Sequence, residues 1–178
     1  MSILTTLAGR ALTFFGAAII SFSGYAQNTP AKTLNTHEFQ LSNGMKVIVR
    51  EDHRAPTVAH MVWYRAGSMD EVNGKTGVAH VLEHMMFKGT KNLKPGEFSK
   101  KVAAVGGRDN AFTSKDYTAY FQQIEKSHLP AMMALEADRM QNLRIDKEEF
   151  AKEIQVVMEE RRLRTDDQSK AIVYEQLM

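Results

Sequence analysis

The chain has 178 residues, of which 43% are hydrophobic and 25% are charged, a composition that is typical of one globular domain with a sizeable core. Its net charge of +2 gives no indication of binding to nucleic acid or to an anionic membrane surface. Because the chain has no cysteine, disulfides and thiolate metal sites are excluded, and any metal ion must be held by His, Asp or Glu.

The first 26 residues have the pattern of a secretory signal peptide. Arg10 precedes an apolar run, residues 11–22, that is too short to span a membrane comfortably. Small residues then predict cleavage after Ala26, with an uncleaved anchor or a disordered tail as the alternative. We therefore expect an exported protein, periplasmic or secreted, in which residues 27–36 form a polar linker.

Patterns of apolar residues predict two hairpins. Asn43-Gly44 between alternating apolar runs predicts the first, over residues 37–50. Residues 57–66 are rich in β-forming residues and apolar on both faces, so we predict a central strand there, with His60 as a packed core residue. Two further β-rich runs flank residues 114–116 and predict the second hairpin.

Helical patterns fill most of the remaining chain and predict an α+β fold, with helices packed on a largely antiparallel sheet. The last of them, from Ala171, stops in an apolar stretch without a cap, so the chain looks truncated at its C-terminus. The predicted helices cover residues 77–89 with Gly89 at the end, 95–105, 127–140, 146–164 and 171–178.

The first predicted helix contains a motif that can bind a metal ion, with His80, Glu83 and His84 on one face. Two imidazoles at this spacing can share one metal ion, and this H-x-x-E-H order is the inverted zincin signature. Glu83 is then placed to take a proton from water. A solvated histidine pair on a surface helix is the alternative. Apolar neighbours such as Val81 and Leu82 instead indicate a buried helix, where these polar groups need a partner.

Seven stretches extend this motif into a longer pattern. They are Asn43–Val47, Trp63–Ser68, Gly77–Thr90, Gly106–Thr113, Asp116–Tyr120, Leu135–Met140 and Glu153–Arg162. With these stretches in this order, the chain resembles the pitrilysin family of zinc metallopeptidases, and most of all its smaller bacterial members. The resemblance implies the N-terminal half-domain of that fold over residues 37–178. It also implies a zinc-dependent endopeptidase that hydrolyses peptides or extended polypeptides, with Glu83 as general base.

The same resemblance supplies the remaining metal-site residues. In the family, a glutamate far along the chain completes a His, His, Glu zinc site. It corresponds to Glu160, with the adjacent Glu159 as the competitor. Glu153 matches a family glutamate that supports the ligands from outside the coordination sphere. The predicted Zn²⁺ ligands are therefore His80, His84 and Glu160, which leave one position for water.

The family also implies how substrate and a second half would bind. Asn110, Ala111 and Phe112 match the family's substrate-binding strand, to which an extended peptide adds as a further strand, with an ordinary hairpin as the alternative. A second half-domain, from the same chain or from a homo- or heterodimer partner, closes the family's cleft and supplies an arginine and a tyrosine that have no counterpart here. We therefore expect this chain alone to bind zinc but to be weakly active or inactive. The alternative function is a truncated or non-catalytic zinc-binding half.

Overall fold

The structure, a computed structural model, describes residues 35–177, which contain five β-strands and five α-helices. The strands are Thr36–Gln40 (β1), Lys46–Arg50 (β2), Thr57–Tyr64 (β3), Arg108–Thr113 (β4) and Thr118–Glu125 (β5). The helices are Val78–Met85 (α1), Glu97–Ala104 (α2), Leu129–Asn142 (α3), Lys147–Arg161 (α4) and Ser169–Leu177 (α5). Helices together with antiparallel strands confirm the predicted α+β class.

The predicted signal peptide, residues 1–26, lies outside the described residues, as does the predicted linker up to residue 34. In the described part of the chain, none of the helices has the length and apolar character that a membrane span requires. The described chain divides into two compact units, one ending at Glu51 and the other beginning at Asp52.

The first unit contains the β1–β2 hairpin. The two strands pair in antiparallel register, with Thr36 opposite Arg50. Gly44 in the turn has a φ of 87°, a left-handed conformation that glycine adopts without steric strain. The side chain of Asn43 accepts a hydrogen bond from the N–H of Met45 at 3.1 Å. The hairpin predicted from Asn43-Gly44 is therefore confirmed.

The second unit contains a three-stranded antiparallel sheet with the strand order β3-β5-β4. β5 is the central strand, and most of its side chains are buried. The prediction of a central strand over residues 57–66 is wrong for the described residues, because β3 pairs only with β5. Both faces of β3 are apolar, but only one is half-buried, and Met61 and Trp63 on the other face are exposed. His60 is half-buried, with Nδ1 2.7 Å from Gln122 Oε1, as expected for a packed histidine.

The apolar core of this unit lies between the sheet and two helices. Phe98 and Val102 of α2 meet Ile124 of β5 and Met132 of α3, and all four are nearly inaccessible to solvent. Gly107 allows this approach, because a Cβ atom there would lie 2.6 Å from Ile124 Cγ2. Burial of these side chains is the main source of stability of the unit.

An ion pair is buried beside this core. Glu136 and Arg139 of α3 are 2% and 1% exposed, and Arg139 Nη2 lies 2.5 Å from Glu136 Oε2. The guanidinium stacks on Phe98 and Tyr120, with its central carbon 4.3 and 4.5 Å from the two ring centroids. Gln122 of β5 donates a further hydrogen bond to Glu136 Oε2 at 3.1 Å. These polar contacts link α3 to the central strand.

The motif helix α1 is shorter than predicted. It ends at Met85, and the predicted end at Gly89 is wrong. Beyond Met85 the N–H groups of Phe87 and Lys88 bond to carbonyls three residues back, a tighter turn than an α-helix makes. Gly89 closes this turn with a φ of 105°, and a Cβ atom there would lie 2.7 Å from the carbonyl oxygen of Leu93. The glycine is therefore needed for the turn and not for the helix end.

The motif helix is also less buried than predicted. Met85 is 1% exposed, but Val78 and Leu82 are 62% and 43% exposed. The sequence places apolar side chains on two faces of α1, and only one of these faces is packed against the described residues.

The last two helices begin and end near their predicted bounds. Asp146 caps α4 and accepts hydrogen bonds from the N–H groups of Glu148 and Glu149 at 2.9 and 3.2 Å. The α4 helix ends at Arg161, and a π-helical turn over Arg162–Asp166 follows. The α5 helix then begins two residues before the predicted start at residue 171.

Candidate metal centre

The start of α1 is fixed by a carboxylate from the preceding loop. Glu71 accepts hydrogen bonds from the N–H groups of Gly77 and Ala79, both at 2.7 Å. A negative charge at a helix N-terminus also interacts favourably with the helix dipole. Glu71 thereby sets the position of the helix turn that contains His80.

His80 and His84 of α1 meet Glu160 of α4. The Nε2 atoms of the two histidines lie 3.2 Å apart. Glu160 Oε2 lies 3.6 Å from His80 Nε2, and Glu160 Oε1 lies 3.8 Å from His84 Nε2. Within residues 35–177 these three side chains form the one cluster of potential metal ligands in which all ligand atoms lie within 4.8 Å of one another. The structure thus brings together the three residues predicted as zinc ligands.

The spacing of these atoms fits a zinc ion. Tetrahedral zinc with ligand bonds of about 2.0–2.1 Å separates neighbouring ligand atoms by about 3.3–3.4 Å. The interatomic distances of 3.2, 3.6 and 3.8 Å lie on either side of that value. Glu160 Oε2 is buried and accepts no hydrogen bond, although Arg164 Nη1 lies 3.1 Å from it. A cation between the imidazoles would supply the missing partner.

The adjacent glutamate is turned away from this cluster. Glu159 accepts two hydrogen bonds from Arg162, at 2.9 and 2.5 Å, and its side chain is 54% exposed. Of the two candidates in the sequence, only Glu160 therefore faces the histidine pair.

Glu153 lies behind His84, on the same face of α4 as Glu160. Its Oε1 atom is 2.8 Å from His84 Nδ1, and its Oε2 atom is 2.6 Å from Lys88 Nζ. Burial by itself would raise the pKa of Glu153, but hydrogen bonds from Lys88 and His84 outweigh it and lower the pKa below the ordinary value. An ionised Glu153 can only accept, so His84 Nδ1 is the donor and Nε2 keeps its lone pair for a metal.

Glu83 lies in the same cleft and is held by the edge strand. Thr113 of β4 donates a hydrogen bond to Glu83 Oε2 at 2.5 Å. Among the described residues, Oε1 of the predicted base accepts no hydrogen bond, and it lies in the cleft with His80 and His84.

The predicted substrate-binding residues line this cleft, which has a volume of about 820 Å³. They lie on β4, the outer strand of the three-stranded sheet. The Ser114 N–H bonds to the Tyr117 carbonyl at 2.8 Å, so Ser114 and Tyr117 are a hydrogen-bonded pair of the two strands. In an antiparallel pair of strands, every second residue from there bonds to the partner strand and the residues between them point outward. The backbone groups of Ala111 and Thr113 therefore point away from β5, and the Ala111 N–H bonds to the Asn110 side chain at 2.9 Å.

Phe112 differs from its two neighbours. Its ring packs edge-on against Trp63 and Tyr117, at 5.8 and 6.0 Å between ring centroids, on the exposed face of the sheet. Its backbone N–H and C=O groups point toward β5 and pair with that strand. The structure thus places Phe112 at the cleft but directs its side chain elsewhere.

Residues 46–178 match the family described as Insulinase (Peptidase family M16). The chain belongs to this peptidase family. It is 44% identical over 135 residues to zinc protease PqqE of Helicobacter pylori, a match that covers 75% of this chain and 30% of that protein. A crystal structure of a protease from Helicobacter pylori superimposes with a TM-score of 0.76 at 42% identity, covering 79% of this chain and 34% of that one.

Membership of the M16 family confirms the resemblance to pitrilysin predicted from the sequence. The crystal structure of pitrilysin superimposes with a TM-score of 0.63 at 26% identity, covering 70% of this chain and 13% of that one. The chain spans about a third of the length of the Helicobacter pylori proteins that it matches, and less of pitrilysin.

Four residues that shape the cleft were not predicted as site residues. Lys88 and Thr113 lie inside stretches that match the family, and the spacing of Lys88 four residues after His84 is the signal that could have suggested it. Glu71 and Arg164 gave no usable signal, because a loop carboxylate and one arginine among several near the end of α4 look solvated in the sequence.

Proposed function

We propose that this chain carries the metal-binding and proton-transfer residues of a zinc-dependent endopeptidase. The observation that carries the proposal is the convergence of His80, His84 and Glu160, with Glu83 in the same cleft. The name of the Helicobacter pylori relative supports zinc as the metal and proteolysis as the reaction.

The chain's own residues then have separate roles in hydrolysis. Zinc, when bound, supplies the Lewis acidity that polarises a peptide carbonyl and lowers the pKa of water. Glu83 accepts a proton from the attacking water and later gives it to the departing amine, with Oε2 held by Thr113 and Oε1 left for the proton. Glu153 holds His84 in the orientation that directs Nε2 to the metal.

The edge strand β4 is proposed to bind the substrate backbone. Its outward-facing groups at Ala111 and Thr113 can pair with an extended peptide, which therefore adds a fourth strand beside β4. The Asn110 side chain holds the Ala111 N–H in the absence of a peptide and would give it up to the substrate carbonyl. Recognition of this kind selects extended shape more than sequence, so the substrate class is a peptide or an unfolded polypeptide.

Activity of the whole protein is proposed to need more than the described residues. This chain spans about a third of the length of its Helicobacter pylori relatives. We therefore expect a second half-domain or a homo- or heterodimer partner to close the 820 Å³ cleft. The signal-peptide pattern of residues 1–26 supports the proposal that the mature protein is exported, to the periplasm or out of the cell.

The test is cleavage of an internally quenched, unstructured peptide by the zinc-loaded protein, with Glu83→Gln as the matched variant. We expect slow cleavage by the wild-type chain and none by Glu83→Gln, while both bind one zinc ion. Cleavage by Glu83→Gln at the wild-type rate would contradict the role of Glu83. Full peptidase activity of the isolated chain would contradict the need for a second half, and absence of zinc binding would contradict the proposed function itself.

A further inference from the structure

The carboxylate of Glu153 is buried and has one charged or polar partner for each oxygen. Its side chain is 8% exposed. Oε1 lies 2.8 Å from His84 Nδ1, and Oε2 lies 2.6 Å from Lys88 Nζ. A buried carboxylate keeps a fixed orientation only while both of its oxygens are satisfied, because an unpaired oxygen is strongly unfavourable away from water.

Lys88 is well placed to supply one of these partners. Its side chain is 28% exposed, so the ammonium is only partly solvated. Its backbone N–H bonds to the carbonyl of Met85 at 2.9 Å, which fixes Lys88 at the end of the motif helix. The other lysine of the cleft, Lys115, is exposed and belongs to the turn between β4 and β5.

The Lys88–Glu153 pair also joins the two helices that form the metal site. The α1 helix contributes His80 and His84, and Lys88 lies three residues beyond its last residue, in the turn that follows. The α4 helix contributes Glu153 and Glu160. The ion pair therefore spans the same gap between helices that a metal ion would span.

From these contacts we propose that Lys88 is a positioning residue for the metal site. It makes no hydrogen bond or ion pair with the three proposed ligands. It fixes the rotation of the Glu153 carboxylate, and that carboxylate fixes the ring of His84 so that Nε2 points at Glu160 and His80. This inference rests on the proposed function and adds a residue to it.

The sign of the effect separates this role from general electrostatics. Removal of a lysine close to a site for a divalent cation should raise zinc affinity if only Coulomb repulsion mattered. Loss of a positioning contact should lower zinc affinity, since changes in groups that orient ligands typically reduce metal affinity by about 10- to 100-fold.

The experiment measures the zinc dissociation constant of the 178-residue chain by competition with a chromophoric chelator. The variants are Lys88→Met, Lys88→Arg and the matched control Lys115→Met, which removes a cation from the same cleft. We expect Lys88→Met to weaken zinc binding by about 10-fold or more. We expect Lys88→Arg to retain most of the wild-type zinc affinity. We expect Lys115→Met to leave the zinc affinity unchanged or slightly higher.

A second measurement follows the imidazole directly. In zinc-loaded protein labelled with ¹⁵N-histidine, the Nδ1–H proton of His84 should exchange slowly with water in the wild type and quickly in Lys88→Met. If Lys88→Met does not fold, Lys88→Gln takes its place, because it keeps an N–H donor without the charge. It should bind zinc more weakly than Lys88→Arg, and its His84 Nδ1–H should exchange faster than in the wild type.

Unchanged or tighter zinc binding by folded Lys88→Met or Lys88→Gln, with slow exchange at His84, would overturn the inference while leaving the zinc site in place. A wild-type chain that binds no zinc would overturn the proposed function as well. The two failures are therefore distinguishable from the wild-type measurement alone.

Discussion

The hydroxyl of Thr113 donates a hydrogen bond to Glu83 Oε2 at 2.5 Å, and this contact connects the edge strand β4 to the motif helix. The direction of the bond follows from the neighbouring hydroxyl. Thr118 gives its proton to the carbonyl of Ala66 at 2.9 Å, so the 3.3 Å contact between the two threonines leaves the Thr113 proton for Glu83. The strand proposed to bind substrate therefore also orients the proposed base.

Removal of this hydroxyl should reduce turnover without loss of zinc. Under the proposed function, Thr113→Val should lower kcat by about 10- to 100-fold, because a hydrogen bond to a charged group contributes about 1.5–3 kcal/mol. KM and zinc content should change little, since the metal ligands are untouched. Thr113→Ser keeps the hydroxyl and should retain most of the activity. Steady-state kinetics on a quenched peptide would reveal the split, and an unchanged kcat in Thr113→Val would refute the orienting role.

A proline at Ala111 tests substrate binding by the edge strand. Ala111→Pro removes an outward-facing N–H of β4, so KM should rise or turnover should be lost. Ala59→Pro is the matched control. The Lys126 N–H bonds to the Pro56 carbonyl at 3.0 Å, so the backbone of Ala59 points outward from β3 at the opposite edge.

Both proline variants should keep the wild-type circular dichroism spectrum, because neither outward N–H takes part in the β5 ladder. Equal effects of the two prolines on KM, or no effect of Ala111→Pro, would show that substrate does not pair with β4.

Local sequence patterns predicted where helices and strands form more reliably than they predicted which strands lie next to one another. The Asn43-Gly44 hairpin and the start of the helix at residue 146 depend on chemistry within a few residues, and both were predicted. The edge position of β3 was not, because its exposed face carries Trp63 in a cluster with Phe112 and Tyr117, and such a face looks buried in the sequence.

The candidate site shows the same division. The i, i+3, i+4 spacing of His80, Glu83 and His84 is set by one helix and could be predicted. The contacts of Lys88 with Glu153 and of Thr113 with Glu83 join residues 65 and 30 positions apart, and no local pattern indicates such pairs. Glu160 was predicted only through the family resemblance.

The buried ion pair of α3 should be important for stability. Glu136 is only 2% exposed, and Arg139→Met leaves its carboxylate without a cation. Removal of one partner from a buried ion pair typically lowers the free energy of unfolding by about 3–5 kcal/mol. The double variant Glu136→Gln with Arg139→Met should recover part of this loss. Lys152→Met, which breaks the exposed pair with Glu149, is the control and should have little effect. Urea denaturation followed by circular dichroism gives the free energies, and equal stabilities of Arg139→Met and Lys152→Met would contradict this account.

Asp138 should make stability depend on pH. The hydrogen bond from the Thr90 hydroxyl, followed by those from Asn142 and Asn92, lowers the pKa of Asp138 below its ordinary value of 3.8. The unfolded chain therefore takes up a proton first as the pH falls. The stabilisation is complete above the ordinary value and is lost as the pH drops through the lower folded pKa.

The comparison of Asp138→Asn with the wild type checks this sign. Urea denaturation in the presence of a chelator should give a stability difference that is large at about pH 5 and shrinks toward about pH 3. A difference that stays constant, or that grows as the pH falls, would contradict the assignment.

The most direct test of the account is the zinc content of three proteins after dialysis against limiting zinc: the wild type, Glu160→Gln and Glu159→Gln. The two variants differ by one position and remove the same charge. The account predicts one zinc ion per chain in the wild type and in Glu159→Gln, and a large loss of zinc in Glu160→Gln. Full zinc retention by Glu160→Gln, or loss of zinc only in Glu159→Gln, would contradict the metal site formed by α1 and α4.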